Sequence, residues 1–138
     1  QVEETIKKHC GWTNIDYKGQ VSRRELVSIF NVSCAGIVTF LPLPNHVDAQ
    51  PNKMFEYMSA GIPVIGSNFP LWREIIEGYE CGICVDPTNS KDISEAINYI
   101  ISNPDIAESM GKKGRSAVER IYNWSKEEVK LVNLYKNL

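Results

Sequence analysis

Two carboxylates give this sequence its first sign of chemistry. Asp48 and Glu56 are separated by seven residues and lie on either side of Pro51. Asp48 lies in a polar, proline-rich stretch, Pro42 to Gln50, before a helix whose first turn suits Pro51, and Glu56 falls on the second turn of that helix. The unpaired N–H groups and the dipole at such a helix start favour a phosphate. A carboxylate one or two turns further on can accept two hydrogen bonds from a ribose diol, the task acidic residues perform in dinucleotide folds. Asn52, Lys53 and Met54 fill the intervening turn. The same residues also have plainer readings, Asp48 as a loop residue and Glu56 as a helix-surface glutamate.

Other polar side chains divide in the same way. His46 lies in the loop before the helix and is either a ligand contact or a solvated imidazole. Lys53 either neutralises a diphosphate or decorates a helix start, where a cation is locally unfavourable. Arg23 and Arg24 read as solvated helix charges. Cys81-Gly82-Ile83-Cys84 is a CxxC pair, but zinc needs two more ligands and neither His9 nor His46 is close in sequence. A redox CxxC opens a helix, whereas Cys84 sits in a strand-like run. These cysteines read as strand packing, Cys34 as a small core residue, and all four, with Cys10, as reduced. No Asp-x-Asp pair occurs, so metal-independent chemistry with no cofactor is expected.

The elements that must position these groups follow from hydrophobic patterning. Short apolar runs alternate with amphipathic segments, which predicts βαβ units around a parallel sheet. Val2 to His9 reads as the end of a helix, and Ile15 to Gly19 as a weak strand. Ser22 and Glu25 form a capping box for a helix over Arg23 to Phe30. Ala35 to Leu41 reads as a strand buried on both faces. After the 42–50 loop come a helix over Asn52 to Ala60 stopped by Gly61, a strand over Ile62 to Gly66, a helix over Leu71 to Glu77, and a strand over Gly82 to Val85. From Lys91 the chain reads as helical. Asn103-Pro104 restarts a helix, and Ser125 with Glu128 caps a last one over Val129 to Tyr135. The expected architecture is an α/β fold, a Rossmann-like parallel sheet flanked by helices, with a helical C-terminal tail.

Size and charge set the outer bounds. At 138 residues the chain suits one domain, 1–138. A net charge of −2 gives no electrostatic reason to expect nucleic acid as a partner. The longest apolar runs fall far short of the roughly 20 residues that span a bilayer. Gln1 opens a charged, helix-like segment with neither an initiating Met nor a signal-peptide pattern, so an excerpt of a cytoplasmic protein is expected.

Beyond these local readings, Pro51 to Ser67 (PNKMFEYMSAGIPVIGS) resembles the signature segment of group 1 (family 4) glycosyltransferases of the GT-B fold. Further segments follow in the family's order. Tyr17 to Val21 and Ser22 to Leu26 resemble its strand-glycine-helix entry, Trp72 to Ile76 its EIV-like segment, and Gly82 to Pro87 its GLLV-like strand. Met110-Gly111 through Gly114-Arg115 and Asn123-Trp124-Ser125 resemble its closing helices. Each segment alone is weak; five in order are specific.

The resemblance implies the C-terminal, donor-binding half of an enzyme that moves a sugar from a nucleotide-sugar to a saccharide or lipid-linked acceptor. Glu56 maps onto the glutamate that holds the donor ribose. Asp48 stands where the family has a second glutamate that contacts the sugar. The usual glycine-rich stretch between the two is replaced here by Asn52-Lys53-Met54, and His46 faces the same expected donor. The family's phosphate-clamping Arg and Lys, and its acceptor domain, would lie upstream of Gln1. The domain is therefore expected to be truncated at its N-terminus, to lack the acceptor domain, and to be inactive alone. The last helix is expected to pack on that acceptor domain. The resemblance also leaves room for peripheral membrane association of the full enzyme, in polysaccharide biosynthesis. Rival readings are a sugar-nucleotide epimerase of the same overall fold and a non-enzymatic α/β ligand-binding module.

Overall fold

Consecutive residues of a strand point to opposite faces of its sheet, and the middle strand here uses both. In the computed structural model, which describes residues 2–137, Val64 and Ile65 are both fully buried but belong to two separate apolar clusters. Val64–Ser67 (β2) pairs in parallel with Gly36–Val38 (β1) on one side and Gly82–Val85 (β3) on the other, in the order β1-β2-β3. The register sets Ile37 beside Ile65 and Ile65 beside Ile83.

Helices cover the sheet in two layers. Val2–Lys7 (α1) and a 3-10 turn over Cys10–Asn14 precede Arg23–Asn31 (α2). Pro44–Val47 (α3) and Asn52–Ala60 (α4) follow β1, and Pro70–Ile76 (α5) follows β2. After β3 come Ser90–Ser102 (α6), Pro104–Arg120 (α7) and Trp124–Lys136 (α8). The Val64 face packs against Met54 and Met58 of α4, Trp72, Ile75 and Ile76 of α5, and Ala117 of α7. The Ile65 face packs against Ala96 and Ile100 of α6 and Ala107 of α7. The expected α/β architecture, a parallel sheet between helices with a helical C-terminus, is the one observed.

Several elements follow directly from local chemistry. Ser22 accepts from the Glu25 N–H at 3.3 Å, and the Glu25 carboxylate accepts from the Ser22 N–H at 2.8 Å, so α2 begins on a complete capping box. The Ser22 hydroxyl also donates to that carboxylate at 2.6 Å, and this bond first, then the one from the Ser22 N–H, holds the Glu25 pKa below its ordinary value. Gly61 ends α4 in the left-handed region at φ 75°, which costs a glycine little. Gly111 lets α7 lie against that turn: a Cβ there would stand 2.0 Å from the Gly61 carbonyl oxygen.

Other expectations are corrected. The strand expected over Ala35 to Leu41 contracts to Gly36–Val38, and Ile37 is 44% exposed. Among the described residues, the Ile65-side cluster reaches Ala35 but not Ile37. Ile15 to Gly19 forms no strand. Pro51 occupies the cap of α4 rather than its first turn. Asn123 caps α8 by accepting from the Lys126 N–H at 3.2 Å, which puts Ser125 inside the helix. Cys34 is exposed rather than in the core. No residue of α8 is buried, and Trp124, Leu134 and Tyr135 are among its exposed apolar side chains.

Candidate functional site

The chain leaves the carboxyl end of β1 and enters α4 through residues 39–51, the kind of crossing where open parallel sheets bind ligands. Three fasteners hold this segment. The Ser67 hydroxyl, fully buried at the end of β2, donates to the Phe40 carbonyl at 2.9 Å and accepts from the Phe40 N–H at 2.8 Å. A side chain thus continues the β1–β2 ladder where strand pairing has stopped. The His46 Nδ1 lies 3.0 Å from the Leu41 carbonyl, which can only accept, so Nδ1 is the donor of this bond. At the far end, the indole N–H of Trp72 donates to the Ala49 carbonyl at 2.6 Å.

Aromatic rings tie the three together. Phe40 lies between His46, at 4.9 Å between ring centroids, and Trp72, at 5.6 Å, and Trp72 also meets Phe69 edge-on at 5.1 Å. Buried indoles need an acceptor for their N–H, and Trp72 takes one from the loop. The segment between β1 and α4 is therefore a built structure, with α3 inside what reads from sequence as plain loop.

The expected site residues then fall into place unequally. Asp48 is exposed at the C-terminal end of α3, next to the fastened Ala49. Asn52 and Lys53 are exposed on the first turn of α4. Pro51 at the cap contributes no side-chain hydrogen bond, and its carbonyl accepts from the Met54 N–H at 3.0 Å. The amides of Asn52 and Lys53 therefore stand at an open helix end without intrahelical partners. Met54 is a correction. Its side chain is fully buried beside Met58, four residues on, because both lie on the core face of α4.

Glu56 is exposed on the opposite face of the same helix. It lines a groove of about 420 Å³ between α2 and α4, with Arg23, Val27 and Ser59, and with Arg115 reaching in from α7. Asp48 is not among the residues lining that groove. The neighbouring Tyr57 is half-buried and donates to the Ile37 carbonyl at 3.3 Å. Its burial, and secondarily the Glu56 charge, push the Tyr57 pKa up.

Sequence reasoning passed over Ser67, Trp72 and Arg115. The fasteners act across distant positions, and no local spacing announces them. Arg115 had a visible signal in Gly111 and Gly114, small residues three apart that let α7 approach α4 closely. Arg23, read as a solvated charge, lines the Glu56 groove.

The CxxC pair lies elsewhere. Cys81 is fully buried and Cys84 partly so, and burial pushes their thiols up to about 11 and about 12. Both are protonated near neutral pH and so are poor metal ligands and nucleophiles. Among the described residues, no group of three or more His, Cys, Asp or Glu side chains is gathered to hold a metal ion.

Comparison with known proteins sets this geometry in a family. Residues 1–117 match the family described as Glycosyl transferases group 1. The chain is 32% identical over 83 residues to spore coat protein SA of Bacillus subtilis (strain 168), a match covering 59% of this chain and 22% of that protein. It is 27% identical over 85 residues to a phosphatidyl-myo-inositol mannosyltransferase of Mycobacterium leprae (strain TN), covering 62% of this chain and 22% of that one. Among solved structures, sucrose-phosphate synthase from Thermosynechococcus elongatus superposes with a TM-score of 0.82 over 99% of this chain and 33% of its own, at 22% identity. That likeness shows a shared fold. The matches span 22% of the length of these curated relatives.

Proposed function

The chain belongs to the group 1 glycosyltransferases, and from that premise we propose that it is the donor-binding part of a longer enzyme. That enzyme moves a sugar from a nucleotide-sugar to a saccharide or lipid-linked acceptor. The observation that carries the reading is the fastened 39–51 segment running into the uncapped start of α4, with an exposed glutamate on that helix's second turn.

In this proposal the open amides of Asn52 and Lys53, with the Lys53 ammonium, receive the diphosphate. Glu56 accepts from the ribose diol, and Asp48 and the His46 imidazole meet the sugar. No metal cofactor enters: positive charge comes from helix amides and basic side chains, and catalysis consists of positioning and leaving-group stabilisation. An acceptor domain, N-terminal to this part of the polypeptide, supplies the other wall of the site. The exposed apolar side chains of α8 suit a contact with that domain. The family match favours sugar transfer over the epimerase and binding-module readings.

The proposal places the enzyme in the cytoplasm, in keeping with four free cysteines. Among the described residues no helix is long and apolar enough to cross a membrane, and a peripheral membrane contact fits a lipid-linked acceptor.

The test is calorimetry on the full-length polypeptide with UDP-, GDP- and ADP-hexoses, each with and without a chelator. One donor class is expected to bind equally well in both conditions. Binding of none of them, or binding abolished by the chelator, would sink the corresponding part of the proposal.

A further inference from the structure

Trp72 is fully buried on α5, yet its N–H is spent on neither its own helix nor the sheet. It goes to the carbonyl of Ala49, the residue that follows Asp48. Ser67 and His46 fasten the beginning of the segment, at Phe40 and Leu41, whereas Trp72 fastens its end. The indole itself is fixed by edge-on contacts with Phe40 and Phe69. An anchor of this kind sets where the Asp48 carboxylate stands relative to the start of α4, and misplacements of about 1 Å matter in sites that work by positioning.

We propose that Trp72 is a positioning residue for the sugar half of the donor. Through Ala49 it holds Asp48 in register with α4 and so selects the sugar, while the nucleotide half, held by α4 itself, is indifferent to it. The inference rests on the reading of the 39–51 segment as part of the donor site.

The discriminating quantity is the affinity for a nucleotide-sugar divided by that for the matching nucleoside diphosphate. It is measured by calorimetry on the full-length polypeptide with UDP-, GDP- and ADP-hexoses and with UDP, GDP and ADP. Trp72→Phe keeps a buried ring and removes the N–H. Replacing Trp72 with 3-benzothienylalanine, a sulfur isostere, does the same with less change of shape and covers the case in which Trp72→Phe fails to fold. Losing this one hydrogen bond should weaken nucleotide-sugar binding about tenfold and nucleoside diphosphate binding less than about twofold. Ile100→Ala, which opens a cavity on the other face of the sheet, should lower the Tm and leave the ratio alone. Without ligand, amide exchange at His46, Val47 and Ala49, whose N–H groups bond within the segment, should speed up in both Trp72 variants while that of β2 stays unchanged.

Wild-type protein that binds none of the nucleotide-sugars overturns the donor reading and this inference with it. Wild-type binding with an unchanged ratio, or unchanged exchange, in folded Trp72 variants overturns this inference alone. So does an equal loss for both ligands.

Discussion

The Ser67 hydroxyl bonds both backbone groups of Phe40, donating to its carbonyl at 2.9 Å and accepting from its N–H at 2.8 Å. Parallel strands end where their ladder ends, and here a single buried hydroxyl extends the pairing beyond Val38. The direction of the chain as it leaves β1 is thereby set before the polar loop begins.

Ser67→Ala should therefore leave two part-buried backbone groups of Phe40 without partners. Each such group costs about 1–3 kcal/mol when left unsatisfied, so a loss of at least about 1 kcal/mol is expected by urea denaturation. A stability within error of wild type would mean that water or a shifted strand replaces the hydroxyl.

The approach of α7 to α4 gives a second prediction. Alanine is the better helix former by about 1 kcal/mol, so propensity alone favours Gly111→Ala. The new methyl would stand 2.0 Å from the Gly61 carbonyl oxygen, a backbone atom at the end of α4. Overpacking of this kind costs about 1–3 kcal/mol and should win. At Gly114 a methyl would meet Cys81 Cβ at 3.1 Å and Met58 Cγ at 3.4 Å, so Gly114→Ala should lose less. Thermal melts of the two variants rank them.

The cysteines should divide into two reactive classes. Cys10 and Cys34 are exposed and should react promptly with a thiol reagent at neutral pH, while Cys81 and Cys84 should react only on unfolding. Alkaline stability follows with a definite sign. Burial raises the Cys81 pKa from 9.0 to about 11 and the Cys84 pKa from 9.0 to about 12. The unfolded thiols lose their protons near 9 while the folded ones keep theirs. Their contribution is full below pH 9 and is lost as pH rises from there through 11 and 12. Denaturation at pH 7 and pH 10.5 should show this drop, and Cys81→Ala with Cys84→Ala should reduce it.

Much of this architecture was legible because its causes are local. Ser22 with Glu25, Gly61 after Ala60, and Pro104 after Asn103 each mark an element end within a few residues of the groups that make it. Strand burial was not legible in the same way. Ile37 looks like a core residue by type, but its exposure depends on which helices reach it, and the Ile65-side cluster does not. The candidate site divides similarly. Asp48, Asn52, Lys53 and Glu56 stand out by charge and spacing, whereas the Trp72 bond to Ala49 joins residues 23 positions apart and leaves no trace in either neighbourhood. Met54 lies four residues before Met58, and helical phase puts both on the face away from Glu56. Asn123 and Ser125 are both good cap residues, so local chemistry alone does not choose between them.

Glu56 carries the sharpest prediction about the donor. It lies on the second turn of α4, exposed at the rim of the α2–α4 groove, and among the described residues no hydrogen bond or ion pair holds it. It neighbours Tyr57, whose pKa is raised first by burial and second by the Glu56 charge. A hydrogen bond to a charged group contributes about 1.5–3 kcal/mol. At about 1.4 kcal/mol per decade, Glu56→Gln in the full-length polypeptide should weaken nucleotide-sugar binding by roughly 10- to 100-fold. A surface glutamate with no ligand would respond differently, since such exchanges shift stability by about 0.5 kcal/mol or less. A 2′,3′-dideoxy nucleotide lacks the diol and should bind wild type and Glu56→Gln about equally. The Tm should also stay close to wild type, because the side chain is exposed and supports no packing. A folded Glu56→Gln protein that binds the normal donor as tightly as wild type would remove the ribose from this residue and leave the groove it lines without a ligand.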